Sequence, residues 1–216
     1  VSVRCNVSKA EPQEVYDMLK KQGISVKKSE LFDYAFSIDD FDRLQDVEAL
    51  KKGYIQVQDF SSILAGHIPE IKGGENIIDI CAAPGGKTLH IADRLNDRKL
   101  NGGGKIISCD LTDAKTALIK ENVERNGFEN VSVVKNDALA FKKEWEDTAD
   151  IVIADLPCSG LGVIGKKCDI KYKTSIEDIN ALSEIQREIL KNVSRYLKKG
   201  GQLLYSTCTI AMDENE

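Results

Sequence analysis

Apolar residues from position 77 onward follow two alternating patterns, short uninterrupted runs and longer segments of helical spacing. The short runs cover residues 77–81, 105–109, 131–135, 151–154 and 202–206. Runs of β-branched residues without polar alternation are typical of strands buried on both faces of a parallel sheet. The helical segments cover residues 87–95, 113–126 and 175–197. Because strands alternate with helices, the pattern predicts an α/β fold with a Rossmann-like parallel sheet over residues 73–216.

Polar residues and glycines mark the ends of two of these helices. Asn126-Gly127 predicts a C-terminal cap for the helix over 113–126. The sequence Thr174-x-x-Glu177 resembles a capping box and predicts the start of the helix over 175–197. Gly200-Gly201 predicts the end of that helix.

Residues 1–72 show a different pattern of predicted elements, in which short strands are mixed with one amphipathic helix. Strand-like pieces cover residues 1–7, 24–27, 32–38 and 54–58, and the helix covers residues 12–22. The change in this pattern predicts a domain boundary between residues 72 and 73. We expect the first part to form a small α+β subdomain packed beside the parallel sheet.

Composition excludes some classes of protein and leaves others open. The 216 residues carry a net charge of −5, so any contact with nucleic acid needs a local basic patch. Six cysteines and two histidines show no metal-ligand spacing, which argues against a metal site. No secretory pattern or membrane-length apolar run occurs, so we expect a cytoplasmic protein with reduced thiols and no membrane partner.

A small-residue turn at 81–87 follows the first strand of the predicted sheet and opens a helix. Neither the phosphate-loop spacing nor the GxGxxG spacing fits this turn, because the phosphate loop needs glycine where the chain has Cys81. Acids follow the next strands, at Asp110, Asp137 and Asp155. An acid after the second strand is where doubly wound folds bind a ribose diol. The absence of a long glycine-rich diphosphate loop favours S-adenosylmethionine over NAD, which leaves a nicotinamide oxidoreductase as a weaker alternative.

Two further strands each end in a polar turn with one cysteine, Cys158 in Asp-Leu-Pro-Cys-Ser-Gly and Cys208 in Tyr-Ser-Thr-Cys-Thr. Parallel α/β sheets carry their chemistry at the carboxyl ends of strands, so both thiols are candidates for covalent catalysis. A thiolate added to C6 of cytosine makes C5 nucleophilic enough to accept a methyl group. A second thiol can then assist release. The residues alone do not decide which cysteine has which role.

Three motifs, Cys-Ala-Ala-Pro-Gly-Gly-Lys (81–87), Asp-Leu-Pro-Cys-Ser-Gly (155–160) and Tyr-Ser-Thr-Cys-Thr (205–209), resemble those of the Nop/Sun family of RNA cytosine-5 methyltransferases. The similarity extends to Val3-Arg4-Cys5-Asn6 and to the closing Glu214-Asn215-Glu216, and therefore covers nearly the whole chain. Residues 162–172 are most similar to the bacterial RsmB branch, which modifies small-subunit ribosomal RNA.

The resemblance implies a role for each motif. It implies Cys208 as the nucleophile and Cys158 as the thiol that assists release. It also implies an S-adenosylmethionine-dependent methyltransferase fold in which the cofactor is held by Cys81, Ala82, Ala83, Pro84, Gly85, Gly86, Lys87, Asp110, Asp137 and Asp155. Within that set, Asp110 would bind the ribose, Asp137 would lie near the adenine and Asp155 near the methionine end.

The same resemblance implies RNA as the partner, and it implies that related chains extend beyond both ends of this sequence. We expect the RNA to contact the lysine-rich loop after Cys158 and the N-terminal subdomain. The candidate RNA-binding residues are Arg4, Lys166, Lys167, Lys171 and Lys173, with Lys27 and Lys28 as a possible extension. A catalytically idle RNA-binding or ribosome-assembly module on the same fold is the alternative, which the retention of both cysteines disfavours.

Overall fold

Two β-sheets organise the chain, one formed before residue 60 and one after residue 75. The computed structural model describes residues 1–97, 100, 103–166 and 168–216. The first sheet is antiparallel, with the order β2-β3-β1-β4. Its strands are β1 (Ser2–Cys5), β2 (Ser25–Lys28), β3 (Ala35–Asp39) and β4 (Ile55–Val57). Helices α1 (Pro12–Lys21), α2 (Glu48–Lys51) and α3 (Phe60–His67) accompany it.

The second sheet is parallel and has five strands in the order β7-β6-β5-β8-β9. Its strands are β5 (Asn76–Ile80), β6 (Lys105–Asp110), β7 (Val131–Lys135), β8 (Ala149–Asp155) and β9 (Leu197–Ser206). Its helices are α4 (Gly86–Leu95), α5 (Asp113–Asn126), α6 (Ile170–Lys173) and α7 (Ile176–Val193). The predicted Rossmann-like α/β sheet is therefore confirmed.

Strand β5 lies at the centre of the parallel sheet, between β6 and β8. Ile77 packs into the core on one face, and Ile78 packs into the core on the other. The direction of the strand order changes at β5, and open α/β sheets bind ligands in the crevice at the carboxyl ends of strands beside such a point. The topology therefore places a ligand site where β5 and β8 end.

The end of α7 differs from the prediction, because the helix stops at Val193 rather than at residue 197. A single 3₁₀ turn, Ser194–Tyr196, follows it, and Leu197 already pairs with Ala149 of β8. The glycine pair lies inside β9, at a shift in the β8–β9 register, where Gly200 adopts a φ of 83°. The predicted helix was too long because Leu197 fits the helical spacing of apolar residues, although it belongs to the strand that follows.

The starts of the predicted helices agree with the structure to within one residue. Ser175, not Thr174, is the N-cap of α7 and forms a reciprocal capping box with Asp178. Gly127 ends α5 in the left-handed region, as predicted. No helix among the described residues is long and apolar enough to cross a membrane.

A buried polar seam, consisting of Arg4, Asn6, Gln58, Asp93 and Asn126 with their hydrogen bonds, joins the antiparallel sheet to α4 and α5. Arg4 is fully buried, and its Nη1 lies 3.0 Å from Oδ2 of Asp93 while its Nε donates to Gln58. The Asn6 amide donates to Asn126 at 2.6 Å. Because Arg4 is enclosed in this seam, its guanidinium is not available to RNA, and the prediction that Arg4 contacts RNA is wrong.

Candidate active site at the carboxyl edge of the parallel sheet

The small-residue turn (residues 81–87) leaves β5 through backbone conformations that most residues disfavour. Cys81 has a φ of 60° and Gly85 a φ of 104°, and the amide of Gly85 donates to the carbonyl of Ala82 at 2.7 Å. Gly85 is the N-cap of α4 and offers no side chain to cap it. The turn therefore places the amino end of a helix directly at the sheet edge, where backbone N–H groups favour a polar ligand.

Asp79 supports this turn from below. Its carboxylate is buried and accepts a 2.5 Å hydrogen bond from the Thr88 hydroxyl, which fixes the first turn of α4 against β5. The other oxygen, Oδ1, is buried without a partner among the described residues. Burial raises the pKa of Asp79 to about 7, because the Thr88 hydrogen bond only partly offsets the loss of solvation.

Asp110 ends β6 and binds the small-residue turn through its carboxylate. Oδ2 accepts the amide of Ala83 at 3.0 Å, and Oδ1 accepts the amide of Leu111 at 2.8 Å. The Lys115 ammonium lies 3.0 Å from Oδ1 and is half exposed. Among these donors, the lysine is the one that a ligand could replace without unfolding the turn.

The third predicted acid, Asp137, is exposed just past β7, where its Oδ1 accepts the amide of Leu139. Its neighbour Asn136 is buried, and the backbone amide of Asn136 donates to the carbonyl of Asp110. The side-chain nitrogen Nδ2 of Asn136 is buried without a hydrogen-bond partner among the described residues. A buried donor without a partner at this edge suits a ligand with acceptor atoms.

Asp155 ends β8 and connects two neighbouring strands. Its Oδ2 lies 2.6 Å from Nζ of Lys87, the last residue of the small-residue turn. Its Oδ1 accepts the hydroxyl of Ser206, the last residue of β9, at 2.7 Å. The predicted residues at the ends of β5, β8 and β9 are therefore in direct contact.

The thiol pair, Cys158 and Cys208, is assembled from the turns that follow β8 and β9. The two Sγ atoms are 3.2 Å apart, and the amide of Cys208 also donates to the sulfur of Cys158. The loop after Cys158 folds back, so that the amide of Gly162 donates to the carbonyl of Cys208. A Cβ on Gly162 would lie 2.9 Å from that carbonyl oxygen, so a larger residue would push the loops apart.

The two thiols have different surroundings. Cys208 is exposed, whereas Cys158 is half-buried. The hydrogen bond with the Cys208 sulfur, together with burial, raises the pKa of Cys158 well above its ordinary value. Cys158 therefore keeps its proton at neutral pH and can donate it to the neighbouring sulfur.

Nothing in the part of the chain that the structure describes indicates a chemical role for the thiols of the other four cysteines. Burial raises the pKa of Cys5 and of Cys81 to about 12 and raises that of Cys109 as well, so none of these is a thiolate near neutral pH. Cys168 is exposed in the loop before α6. Among the described residues, no group of three histidine, cysteine or acidic side chains is arranged to hold a metal ion.

A cleft of about 420 Å³ lies beside Cys208 and is bounded by both parts of the chain. The start of α3 contributes one wall, and the ends of β8 and β9 contribute the other. Residues that line it include Asp59, Ser61, Lys87, Asp155, Cys208 and Thr209. The exposed thiol therefore opens onto a polar space in which a planar base and the Lys87–Asp155 pair would be neighbours.

Sequence reasoning missed a buried carboxylate behind the thiol pair. Glu214 accepts hydrogen bonds from the backbone and hydroxyl of Ser159 and from the amide of Gln186. Glu214 stood in the closing Glu-Asn-Glu of the family resemblance, but nothing in the sequence indicated what it contacts. Nothing in the sequence of α7 indicated that Gln186 contacts the thiol turns.

The predicted basic loop is only partly available to a polyanion. Lys166 is exposed but lies 2.6 Å from Asp59, and Lys171 is exposed with its ammonium over the Tyr172 ring. Lys167 and the side chain of Lys173 lie outside the described residues. Lys27 and Lys28 are exposed on β2, at the edge of the antiparallel sheet.

The fold and the site together are those of a Rossmann-like methyltransferase. The parallel sheet carries a helix-opening turn, an acid after its second strand and a thiol pair, all at one edge. The model of the 16S rRNA methyltransferase RsmB/F family matches residues 68–216. The chain therefore belongs to the RsmB/F family, and the predicted family resemblance is confirmed.

Curated relatives agree with this assignment. The chain is 36% identical over its full length to the probable ribosomal RNA small subunit methyltransferase B of Bacillus subtilis and covers 47% of that protein. It is 35% identical, over 80% of its length, to a tRNA (cytosine(72)-C(5))-methyltransferase of Pyrococcus horikoshii and covers 42% of that protein. The chain spans about half the length of the curated relatives it matches.

Solved structures share the whole arrangement. The crystal structure of PH0851 superposes on the full chain with a TM-score of 0.92 at 34% identity, and the chain covers 48% of it. A methyltransferase homologue from Pyrococcus horikoshii covers 99% of the chain with a TM-score of 0.84 at 27% identity, and the chain covers 66% of that protein. Both sheets of the chain therefore belong to the shared fold.

Proposed function

We propose that the chain is the catalytic core of an S-adenosylmethionine-dependent RNA cytosine-5 methyltransferase with small-subunit ribosomal RNA as its substrate. The observation that supports this most is the thiol pair, with its 3.2 Å Sγ–Sγ distance, on the same edge as the small-residue turn. A covalent mechanism at cytosine needs a nucleophile at C6 and a second group that assists release, next to a methyl donor. Cys208 lines the cleft, and the Cys158 sulfur lies directly behind it at hydrogen-bond distance.

The residues at the ends of β5, β6 and β7 fit S-adenosylmethionine. The small-residue turn exposes a helix amino end, Asp110 offers carboxylate oxygens to a diol, and Asn136 has a buried amide nitrogen without a partner among the described residues. Asp137 would lie near the adenine and Asp155 near the methionine end. When bound there, the cofactor supplies an electrophilic methyl group. Binding of a ribose at Asp110 would displace the Lys115 ammonium.

Cys208 is the proposed nucleophile because its thiol is exposed to the cleft, whereas Cys158 is half-buried and holds its proton. Addition of the Cys208 sulfur to C6 makes a carbon–sulfur bond and shifts electron density to C5. After methylation, a base takes the proton from C5, the electrons of that C–H bond form the C5–C6 double bond, and the Cys208 sulfur leaves with the electrons of the carbon–sulfur bond. The Cys158 thiol lies within hydrogen-bond distance of the departing sulfur and would assist that release.

The RNA would enter over the wall formed by α3 and the loop after Cys158. A base that reacts at C6 must leave its stack, and the cleft beside Cys208 provides the space for it. Lys171, with Lys167 and Lys173 from the same loop, would contact phosphates. The N-terminal subdomain (residues 1–72) would contribute the exposed Lys27 and Lys28. Arg4 is left out of this surface because it is buried.

The experiment incubates the chain with S-adenosylmethionine and either 16S ribosomal RNA or transfer RNA, followed by mass mapping of 5-methylcytosine. Mapping the ribosomal RNA of cells that lack the gene gives the corresponding site in vivo. We expect methylation of the ribosomal RNA. Methylation of the transfer RNA alone would overturn the substrate, and RNA binding with no methylation by the complete protein would favour the idle module.

The two cysteine variants test the chemistry. We expect Cys208→Ala to form no covalent protein–RNA adduct, because the nucleophile is gone. Cys158→Ala should still add and transfer the methyl group but release slowly, so that adduct accumulates on denaturing gels. An adduct trapped by Cys208→Ala instead would reverse the roles, and full activity of either variant would show that its thiol only packs the turn.

A further inference from the structure

The residues that follow the two thiols are joined to one buried carboxylate. Glu214 is 3% exposed. Its Oε1 accepts the amide of Ser159 at 2.9 Å, and its Oε2 accepts the hydroxyl of Ser159 at 2.5 Å. The Ser159 hydroxyl also lies 2.7 Å from that of Thr209. Ser159 directly follows Cys158 and Thr209 directly follows Cys208, so the carboxylate connects both turns.

Gln186 of α7 extends this connection to the other side of Cys158. Its Nε2 donates to Oε1 of Glu214 at 3.0 Å and to the carbonyl of Pro157 at 2.8 Å. The residues before and after Cys158 are therefore both fixed by the Glu214–Gln186 pair. We call these side chains, Ser159, Gln186, Thr209 and Glu214, the thiol clamp.

The backbone of Glu214 is itself held in place from two directions. The hydroxyl of Tyr205 in β9 donates to its carbonyl oxygen, and the hydroxyl of Ser183 in α7 donates to the preceding carbonyl of Asp213 at 2.5 Å. Glu214 closes a 3₁₀ turn, Met212–Glu214, that packs on α7. The backbone at Glu214 is thus fixed, and the orientation of its carboxylate depends on the hydrogen-bond donors around it.

A carboxylate is the group that this position needs, because its partners from Ser159 and Gln186 are hydrogen-bond donors. Burial alone would raise the pKa of Glu214, but the hydrogen bonds from Ser159, Gln186 and Thr209 lower it below the ordinary value. The group therefore stays ionised at neutral pH, and charge-assisted hydrogen bonds are stronger and shorter than neutral ones. A glutamine here would turn an NH₂ group toward at least one of these donors.

We propose that Glu214 is a positioning residue for the thiol pair: through Ser159 and Gln186 it sets the separation and direction of the Cys158 and Cys208 sulfurs. The expected effect on RNA methylation rests on the proposed function, whereas the expected effect on the positions of the two sulfurs does not. Neither thiol turn has regular secondary structure to fix it. The bonds to sulfur between the turns are weak, and the Gly162–Cys208 backbone hydrogen bond leaves the direction of the Cys158 side chain open. Loss of the carboxylate should let the two turns separate.

The experiment compares Glu214→Gln with the wild type in two assays. The first measures how fast diamide, a diazene oxidant, links Cys158 to Cys208. The oxidant takes up the two electrons and two protons released, and the linked peptide is quantified by mass spectrometry. Because a disulfide requires close, correctly directed sulfurs, we expect Glu214→Gln to slow the linkage about fivefold or more.

The second assay measures RNA methylation. Displacement of a reacting group by about 1 Å can cost about 100-fold in rate, so we expect kcat to fall between about tenfold and about 100-fold in Glu214→Gln. The KM for S-adenosylmethionine should stay unchanged, since the thiol clamp does not contact the small-residue turn. The smaller change, Ser159→Ala, removes one of the hydrogen bonds and should give an intermediate effect in both assays.

Val193→Ala is the matched control, because it removes buried apolar volume from the same helix, α7, without touching the clamp. It should lower the melting temperature and leave both rates near wild type. Wild-type linkage in Glu214→Gln, or equal slowing in Val193→Ala, would show that Glu214 is only structural. The linkage assay needs no RNA, so it decides the positioning role even if the wild type methylates neither RNA.

Discussion

The polar seam and the thiol clamp each bury a charged side chain, and they differ in the groups that the charge binds. In the polar seam, Arg4 meets an opposite charge, Asp93, whose carboxylate also accepts the amides of Val7 and Ser8. In the thiol clamp, Glu214 meets neutral hydrogen-bond donors, from Ser159, Gln186 and Thr209. The seam joins one sheet to the helices of the other, whereas the clamp joins two turns without regular secondary structure at one edge.

The difference shows how burial of charge can serve stability or chemistry. Removing one partner of a buried ion pair leaves an uncompensated charge, which makes the seam costly to break. A carboxylate held by neutral donors can lose one bond at a smaller cost, while the geometry of the attached turns changes. The seam should therefore control whether the chain folds, and the clamp should control how well the folded chain reacts.

The largest expected effect is in the seam. Arg4→Ala leaves Asp93 buried without its cation, and such a loss costs about 3 to 5 kcal/mol in unfolding free energy. Urea denaturation measures it. Lys135→Ala is the control, since it breaks the pair with Asp113, which is exposed and screened by solvent, and its loss of unfolding free energy should be far smaller. Equal losses in the two variants would contradict the distinction between buried and exposed pairs.

A second prediction concerns Asp79, a buried carboxylate that has neither a cation nor a full set of donors. Its pKa is raised from 3.8 to about 7, so the folded state holds a proton that the unfolded state loses between these pH values. Stability contributed by this group therefore falls as pH rises through that window and is constant above it. We expect on the order of 1 to 4 kcal/mol over the window.

Asp79→Asn should flatten this dependence, because the amide does not titrate. The check is the difference in unfolding free energy between variant and wild type, followed from about pH 3 to about pH 8. A parallel pair of curves would mean that Asp79 is already compensated. In that case Asp79 would resemble Glu214 rather than contrast with it.

How far the sequence predicted these features depends on whether the signal is local. Apolar runs and turn residues are local, and they predicted the parallel strands and both cysteine turns. The clamp depends on Ser159 and Glu214, which are 55 positions apart, so no local pattern indicated it. Arg4 was misassigned because a cationic residue in a motif looks the same in sequence whether its partner is RNA or a buried Asp93.

Asp110, at the end of β6, is a third buried carboxylate, and its side chain accepts backbone amides and faces one ammonium. Asp110→Ala removes charged hydrogen bonds worth about 1.5 to 3 kcal/mol, so S-adenosylmethionine should bind at least about tenfold more weakly by calorimetry. Lys115→Ala removes the ammonium that occupies Asp110 and should leave the affinity equal or higher. Unchanged affinity in Asp110→Ala would exclude the proposed ribose contact.

The smallest effect is expected at the surface. Replacing Lys171 with alanine should reduce the slope of RNA affinity against salt by about 0.7, the value for one contact with single-stranded phosphate. Lys166→Ala should reduce the slope less, because Lys166 is paired with Asp59. Both variants should unfold like the wild type. A slope that neither change alters would place the RNA on another face.

The position of Glu214 along the chain has a consequence for biosynthesis. A ribosome makes the small-residue turn and the Cys158 turn well before it makes residue 214, which is needed to complete the thiol clamp. During that interval the Cys158 turn lacks the carboxylate that binds Ser159 in the folded chain. The thiol clamp is therefore completed only after residue 214 has been added, later than the strands that carry the Cys158 turn and the small-residue turn.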